Sequence, residues 1–225
     1  MMEGTLRDRH PVHEELGGYE GSKLALWLFL ATELLLFGVL FAAFAIFHGM
    51  YAAEFKLAHN TLDKMMGGIN TIVLICSSLS VALALDAVQR GKRSRANWLL
   101  LLTILLAGVF LVVKYFEYTG KFAHGIFPGR ADQIVIDAKN HIYGPVPAGM
   151  QQAGINVFFS FYFLMTGVHG LHVIIGMTVL GIVLYKNMNG RYSHWYYTPV
   201  ENGALYWHLV DLIWIYLFPL FYLVS

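Results

Sequence analysis

Charged residues are scarce in this chain of 225 residues, at 13% of the composition against a hydrophobic share of 57%. Soluble domains usually carry about 25% charged residues. The deficit argues against a water-soluble domain and indicates that lipid surrounds much of the folded chain. The net charge is only +1, and no basic patch mixed with aromatic residues indicates a nucleic-acid partner.

Cysteine is almost absent, because Cys76 is the only one in the sequence. An internal disulfide and any C-x-x-C metal or redox site are therefore excluded. Cys76 lies inside an apolar run, which favours a small buried apolar side chain. We also expect no cleavable signal peptide, since the first apolar run exceeds the roughly 7–15 residues of a signal-peptide core.

Long apolar runs are what the sequence has in abundance, and five of them are near or above the ~20 residues that span a bilayer core. Runs of this length are helical in lipid, and no alternating pattern indicates a barrel. The sequence predicts an all-α, integral membrane bundle of five transmembrane helices over residues 23–225, after a polar tail over residues 1–22. The predicted spans are about 24–47, 66–88, 98–118, 155–185 and 204–224, with an exposed loop between about 119 and 154 that has room for a short hairpin.

Lysine and arginine are distributed unequally about these spans, and this bias sets orientation in a membrane. With the N-terminus inside, nine of them lie on the cytoplasmic side and five on the outer side, while Lys114 lies within the third span. The inner set is Arg7, Arg9, Lys23, Arg90, Lys92, Arg93, Arg95, Lys186 and Arg191, and the outer set is Lys56, Lys64, Lys121, Arg130 and Lys139. The sequence therefore predicts a multi-pass protein with a cytoplasmic N-terminus.

Glu33 lies near the middle of the first span, where an ionisable side chain costs about 2.5–3.5 kcal/mol on insertion scales. No cation lies within one helical turn of it. The carboxyl is therefore either neutral or paired with a group on another helix. Two interpretations stay open: a carboxyl that exchanges protons, and a buried carboxyl that fixes helix packing through hydrogen bonds.

Lys114 and Glu117 lie three residues apart near the end of the third span. This spacing places both side chains on one helix face, where they can form an ion pair. We interpret the pair as structural or as a contact to lipid head groups.

His169 and His172 have the same spacing, deep in the fourth span. Together with His208 and Asp211 of the fifth span they could contribute to a metal site, as in helix bundles that bind metals. The Glu-x-x-His pairing of di-iron sites is missing, which favours hydrogen bonds between helices instead.

A polar stripe runs along the fifth span, because Glu201, His208 and Asp211 fall near one line on the helix surface. Such a stripe must face other helices or a polar cavity. Trp207 lies beside it and can anchor the helix at an interface or line a lipid groove. Gly176, in the fourth span, allows a neighbouring helix or a lipid chain to approach closely. We assign these polar residues to lipid contact or helix packing.

Four segments resemble sequence patterns of haem-copper oxidase subunit III. Residues 163–176 are similar to T-G-x-H-x-x-H-V-x-x-G, and residues 201–214 to E-x-x-x-x-Y-W-H-F-V-D-x-x-W, with Leu209 in place of the usual Phe. Residues 27–38 resemble W-x-F-x-x-x-E-x-x-x-F, and residues 117–118 resemble an E-Y pair that ends a helix in that family.

The resemblance covers nearly all of residues 20–225 and implies the shorter, five-helix bacterial type, located in the cytoplasmic (inner) membrane. It implies no catalytic residue, haem, copper or other metal in this chain; haem and copper would lie in partner subunits I and II, which reduce O2 to water and pump protons. It also implies direct packing on subunit I, bound phospholipids, and support of proton uptake and active-site stability. Glu33 aligns with the buried, carbodiimide-reactive glutamate of the family.

The electron donor stays open at this point. The chain resembles an accessory subunit of a cytochrome c oxidase, or a homologous accessory subunit of a quinol oxidase or nitric oxide reductase. A free-standing transporter would need inverted repeats and broken spanning helices, which the sequence does not clearly contain. A metalloenzyme using His169, His172 and His208 is the remaining alternative.

Overall fold

Long helices dominate the computed structural model, which describes residues 12–131, 134–137, 142–192 and 196–223. The helices are α1 (Val12–Met50), α2 (Ala52–His59), α3 (Lys64–Gln89), α4 (Arg93–Ala123), α5 (Gln152–Met188) and α6 (Thr198–Phe218), which continues as a π-helical turn (Pro219–Leu223). Of the polar tail predicted over residues 1–22, residues 1–11 lie outside the described part of the chain.

Five of the helices are long and apolar enough to cross a bilayer: Gly21–Met50, Lys64–Gln89, Arg93–Ala123, Gln152–Met188 and Thr198–Leu223. Their outward faces carry large apolar side chains, such as Leu35 and Trp98, which are 69% and 71% exposed. An apolar surface of this extent suits contact with lipid chains rather than water. The prediction of an all-α, five-helix membrane bundle is confirmed.

Four of the spanning helices form a closed arrangement, because α3 packs along α4, α4 against α5, α5 against α6, and α6 back against α3. The fifth, α1, contacts α5 and α6. Large aromatic side chains fill the interior, including the fully buried Phe110, Trp207 and Trp214. Gly176 makes room for one of them, because a Cβ atom at that position would lie 2.7 Å from Trp207 Cε3.

The segment between α4 and α5 contains two antiparallel hairpins. They are formed by β1 (Ile126–Phe127) with β2 (Arg130–Ala131) and by β3 (Ile134–Asp137) with β4 (Ile142–Gly144). The helix before them is longer than its apolar run, so that Lys121 lies in the last turn of α4 and is buried. Its placement in an exposed loop was wrong, because Glu117, one turn earlier, supplies a partner that hydropathy alone does not reveal.

Cys76 is exposed on α3, contrary to the expectation of a buried side chain. An apolar run in a membrane helix contains both bundle-facing and lipid-facing positions. Hydropathy does not distinguish them, because both environments are apolar.

The tight packing at Gly176 gives a direct stability test. Gly176→Ala should lower the melting temperature of the detergent-solubilised chain, since overpacking a filled interior usually costs about 1–3 kcal/mol. The matched control is Gly181→Ala on the same helix, where an added Cβ meets nothing within 4 Å. Equal melting temperatures for the two variants would contradict the close approach of α5 to Trp207.

Candidate functional site

A buried ion cluster joins α4 to α5 and to the C-terminal turn. Glu117 Oε2 accepts a hydrogen bond from Lys114 Nζ at 2.8 Å, and Glu117 Oε1 accepts one from Lys121 Nζ at 3.0 Å. Two phenols donate to the same Oε1, Tyr162 at 2.8 Å and Tyr222 at 2.6 Å. All five side chains are buried. We call these five residues the ion cluster.

Aromatic rings surround Lys114 within this cluster. Its Nζ lies 5.0 Å from the ring centroid of Tyr162 and 5.3 Å from that of Trp214. The faces of aromatic rings attract a cation, and the attraction is stronger where water is excluded. The rings therefore offset part of the cost of removing the ammonium group from water.

Glu33 and His172 form a second polar contact, between α1 and α5. His172 Nε2 lies 2.8 Å from Glu33 Oε2, and His172 Nδ1 lies 2.8 Å from the carbonyl oxygen of Val168. A carbonyl oxygen only accepts hydrogen bonds, so Nδ1 carries a proton in this geometry. The contact at Nε2 joins the imidazole directly to the carboxyl group of Glu33.

Side-chain hydrogen bonds also connect α3 to α6. Among the described residues they are Trp207 Nε1 to Ser77 Oγ at 3.1 Å, Ser78 Oγ with His208 Nδ1 at 2.7 Å, and Trp214 Nε1 to Thr71 Oγ1 at 3.1 Å. Asp211 lies on α6, one turn after His208, and is only 3% exposed. Both of its carboxyl oxygens are enclosed, and the Ser78 hydroxyl lies beside them.

The histidines of the predicted stripes do not converge. His169 is fully buried against Phe110 and Trp214, at ring-centroid distances of 5.5 Å and 5.2 Å, whereas His172 contacts Glu33 and His208 contacts Ser78. Within the described ranges, no three His, Cys, Asp or Glu side chains are grouped so as to hold a metal ion. The metalloenzyme alternative has no ligand set in this part of the structure.

Glu201 lies apart from the other members of its predicted stripe. Its Oε1 accepts a hydrogen bond from Lys23 Nζ at 3.1 Å, which ties the start of α6 to α1. Both side chains are partly exposed, so this ion pair contributes little stability, about 0–1 kcal/mol.

His59 is a buried imidazole outside the spanning segments, at the end of α2. Burial lowers its pKa, and the Lys64 ammonium lowers it further, while the backbone carbonyls of Phe221 and Tyr222 act in the opposite direction. The side chain thus lies beside the same C-terminal turn that the ion cluster holds.

Several residues that form these contacts were not among the candidates predicted from the sequence. Tyr162 and Tyr222 could have been predicted, because a phenol inside a membrane span needs a hydrogen-bond partner. Ser78 and Thr71 could not have been predicted, since a small hydroxyl side chain in a helix can form its hydrogen bond to the backbone of the same helix.

Comparisons with known proteins place these features in a family. A family model described as cytochrome c oxidase subunit III matches residues 1–127 and 150–225. The chain is 30% identical to cytochrome c oxidase subunit 3 of Thermostichus vulcanus over 90% of this chain and 87% of that protein. It is 28% identical to cytochrome c oxidase subunit 3 of Mus musculus over 99% of this chain and 75% of that protein.

Another relative is named for a different electron donor. The chain is 26% identical to cytochrome bo(3) ubiquinol oxidase subunit 3 of Pseudomonas putida, over 90% of this chain and 85% of that protein. Together these matches confirm the resemblance that the four sequence motifs predicted.

The ion cluster predicts a large loss of stability when its carboxylate is removed. Glu117→Gln leaves Lys114 and Lys121 buried without a counter-charge, and breaking a buried pair in this way costs about 3–5 kcal/mol. The matched control is Asp86→Asn, which breaks an exposed ion pair with Arg90 on α3. We expect the control to cost at most about 1 kcal/mol. Denaturant titration of both variants in detergent measures the difference, and similar losses would show that the cluster is not a structural anchor.

Proposed function

The chain belongs to the cytochrome c oxidase subunit III family and is an accessory subunit of a haem-copper oxidase, and we propose that this oxidase receives its electrons from cytochrome c. The observation that carries the proposal is the match of the family model over both regions that contain the signature motifs. The relatives named for cytochrome c include the one of Thermostichus vulcanus at 30% identity, against 26% for the ubiquinol oxidase relative. A quinol donor is the second candidate, supported by that relative.

The partners in this proposal are subunit I, by direct packing, together with subunit II and the other subunits of the complex. The location is the cytoplasmic membrane of a bacterium. Haem and copper belong to the partner subunits, and this chain supplies no catalytic group. The extensive apolar outer faces of the bundle support this arrangement, because each must be covered by lipid or by another membrane protein.

Phospholipids are the second class of proposed ligand. The outward face of α1 carries exposed aromatic and aliphatic side chains, among them Trp27, Leu28 and Leu35. Since α1 contacts the rest of the bundle only through part of its circumference, lipid chains can lie along its sides. Trp27 lies towards the end of the span marked by Lys23, where an indole suits the boundary between head groups and chains.

Support of proton uptake is the third element of the proposal, and it rests on Glu33 and His172. Their contact joins an imidazole to a carboxyl group in a largely apolar setting, and such a pair can take up and release a proton. Both side chains are mostly shielded without being fully enclosed, at 13% and 10% exposure. The pair is therefore a candidate proton-binding site within the oxidase complex and not a redox centre.

Purification of the native complex through a tag on this chain tests the assignment. We expect a haem-copper subunit I to co-purify, with a haem absorption spectrum and oxidation of reduced cytochrome c. Recovery of the chain without any haem protein would contradict the proposed function. Oxidation of a quinol but not of cytochrome c would select the second candidate, and metal bound stoichiometrically by the isolated chain would contradict a non-catalytic role.

Glu33→Gln separates the proton interpretation from the packing interpretation. Glutamine can still form a hydrogen bond to His172 but exchanges no proton, so the complex should assemble at the normal yield while losing activity sooner during turnover. The control is Glu201→Gln, which alters a partly exposed carboxyl on another helix. Failure of the Glu33 variant to assemble would assign the residue to packing, and an unchanged turnover lifetime would remove it from proton uptake.

A further inference from the structure

The contact between Glu33 and His172 lies where three helices meet, and Tyr206 is a residue through which α6 takes part in it. Tyr206 is buried, at 6% exposure. Its hydroxyl donates a hydrogen bond to the backbone carbonyl oxygen of His172 at 3.1 Å. The phenol therefore holds the backbone of the same residue whose imidazole contacts the Glu33 carboxyl.

Tyr206 also contacts α1, close to Glu33. Its ring centroid lies 5.9 Å from that of Phe29, which precedes Glu33 by about one helical turn. Phe37 follows Glu33 by about one turn, and its ring meets the imidazole of His172 edge-on, with 5.6 Å between the centroids. The pair thus lies between two aromatic contacts, and Tyr206 joins α1 to α5 at one of them.

Gly176 makes room for the hydrogen bond between Tyr206 and His172. It follows His172 by about one turn of α5, and a Cβ atom at this position would lie 3.1 Å from Tyr206 Cε1. A larger residue would push the phenol ring away from α5. The glycine of the fourth span and the tyrosine of the fifth therefore act together on one backbone carbonyl.

The position of the His172 imidazole depends on the backbone that Tyr206 holds. Its Nδ1 is hydrogen-bonded to the carbonyl oxygen of Val168 on the same helix, and its Nε2 lies 2.8 Å from Glu33 Oε2. Because the ring is bonded to its own helix, a rotation or shift of α5 at this turn carries the ring with it. Such a movement would separate Nε2 from the carboxyl.

We infer that Tyr206 is a positioning residue for proton binding: its hydroxyl fixes α5 at His172, and this keeps the imidazole within hydrogen-bond distance of Glu33. The inference rests on the proposed role of that pair in proton uptake. Tyr206 donates to a backbone carbonyl and to neither titratable side chain, so it acts through the position of His172.

Chemical labelling of Glu33 in the intact oxidase complex tests this role. A lipid-soluble carbodiimide reacts with a carboxyl that has left its partner, and the Glu33 side chain is 13% exposed. Tyr206→Phe removes the hydroxyl and keeps the ring beside Phe29. We expect labelling of Glu33, followed by mass spectrometry, to become about threefold faster, which corresponds to the ~0.6 kcal/mol of an average hydrogen bond between membrane helices.

Tyr216→Phe is the matched control for the labelling experiment. Tyr216 lies on the same helix and also contacts α1, with its ring centroid 6.3 Å from that of Phe41, but its side chain is 61% exposed. We expect this variant to label Glu33 at the original rate. A Tyr206→Phe complex that melts at a lower temperature and still labels at the original rate would assign Tyr206 to packing alone and overturn the inference.

A double-mutant cycle separates this inference from the proposed function. If Tyr206 acts through the pair, Tyr206→Phe should shorten the turnover lifetime of the complex, and should shorten it no further in the Glu33→Gln background. Additive losses in the double variant would overturn the inference. Faster labelling in Tyr206→Phe, combined with a normal turnover lifetime in Glu33→Gln, would support the positioning role and contradict the proposed part of the pair in proton uptake.

Discussion

A polar group buried inside the spanning bundle can bond only to another part of the protein, because the hydrocarbon core of a membrane offers no water. The ion cluster is the clearest consequence. Glu117 accepts four hydrogen bonds there, and these bonds connect α4 with α5 and with the C-terminal turn through Tyr162 and Tyr222. Since apolar packing alone distinguishes weakly between a helix neighbour and lipid, such bonds specify which helices meet and in what register.

The same constraint explains how the outermost helix is attached. α1 is attached to the bundle near its middle by the contact of Glu33 with His172. The partly exposed ion pair of Lys23 with Glu201 near one end adds little to this attachment. Aromatic contacts fill the space between and beyond them, such as Phe37 against the ring of His172 at 5.6 Å. A residue proposed for proton uptake thus also holds a helix in place, so substitutions at Glu33 must be judged on assembly and turnover together.

Sequence reasoning predicted the parts of the fold that depend on one helix at a time. Five apolar runs gave five helices, and the three-residue spacing of Lys114 and Glu117 placed them on one face. The sequence did not allow contacts between helices to be predicted, because hydropathy does not distinguish an apolar face that contacts lipid from one that contacts another helix. Cys76 was therefore expected to be buried although it is exposed, and Lys121 was expected in a loop although it belongs to the ion cluster. The family motifs identified Glu33, His172 and Asp211 without indicating that Glu33 and His172 contact each other while Asp211 lies beside Ser78.

The central claim is that Glu117 and the lysine and tyrosine side chains that donate to it anchor this helix bundle from within. A density map of the native oxidase complex at side-chain resolution tests it most directly. The account predicts that Glu117 keeps its lysine and tyrosine donors in the complex. A map in which Glu117 is separated from those donors would contradict it.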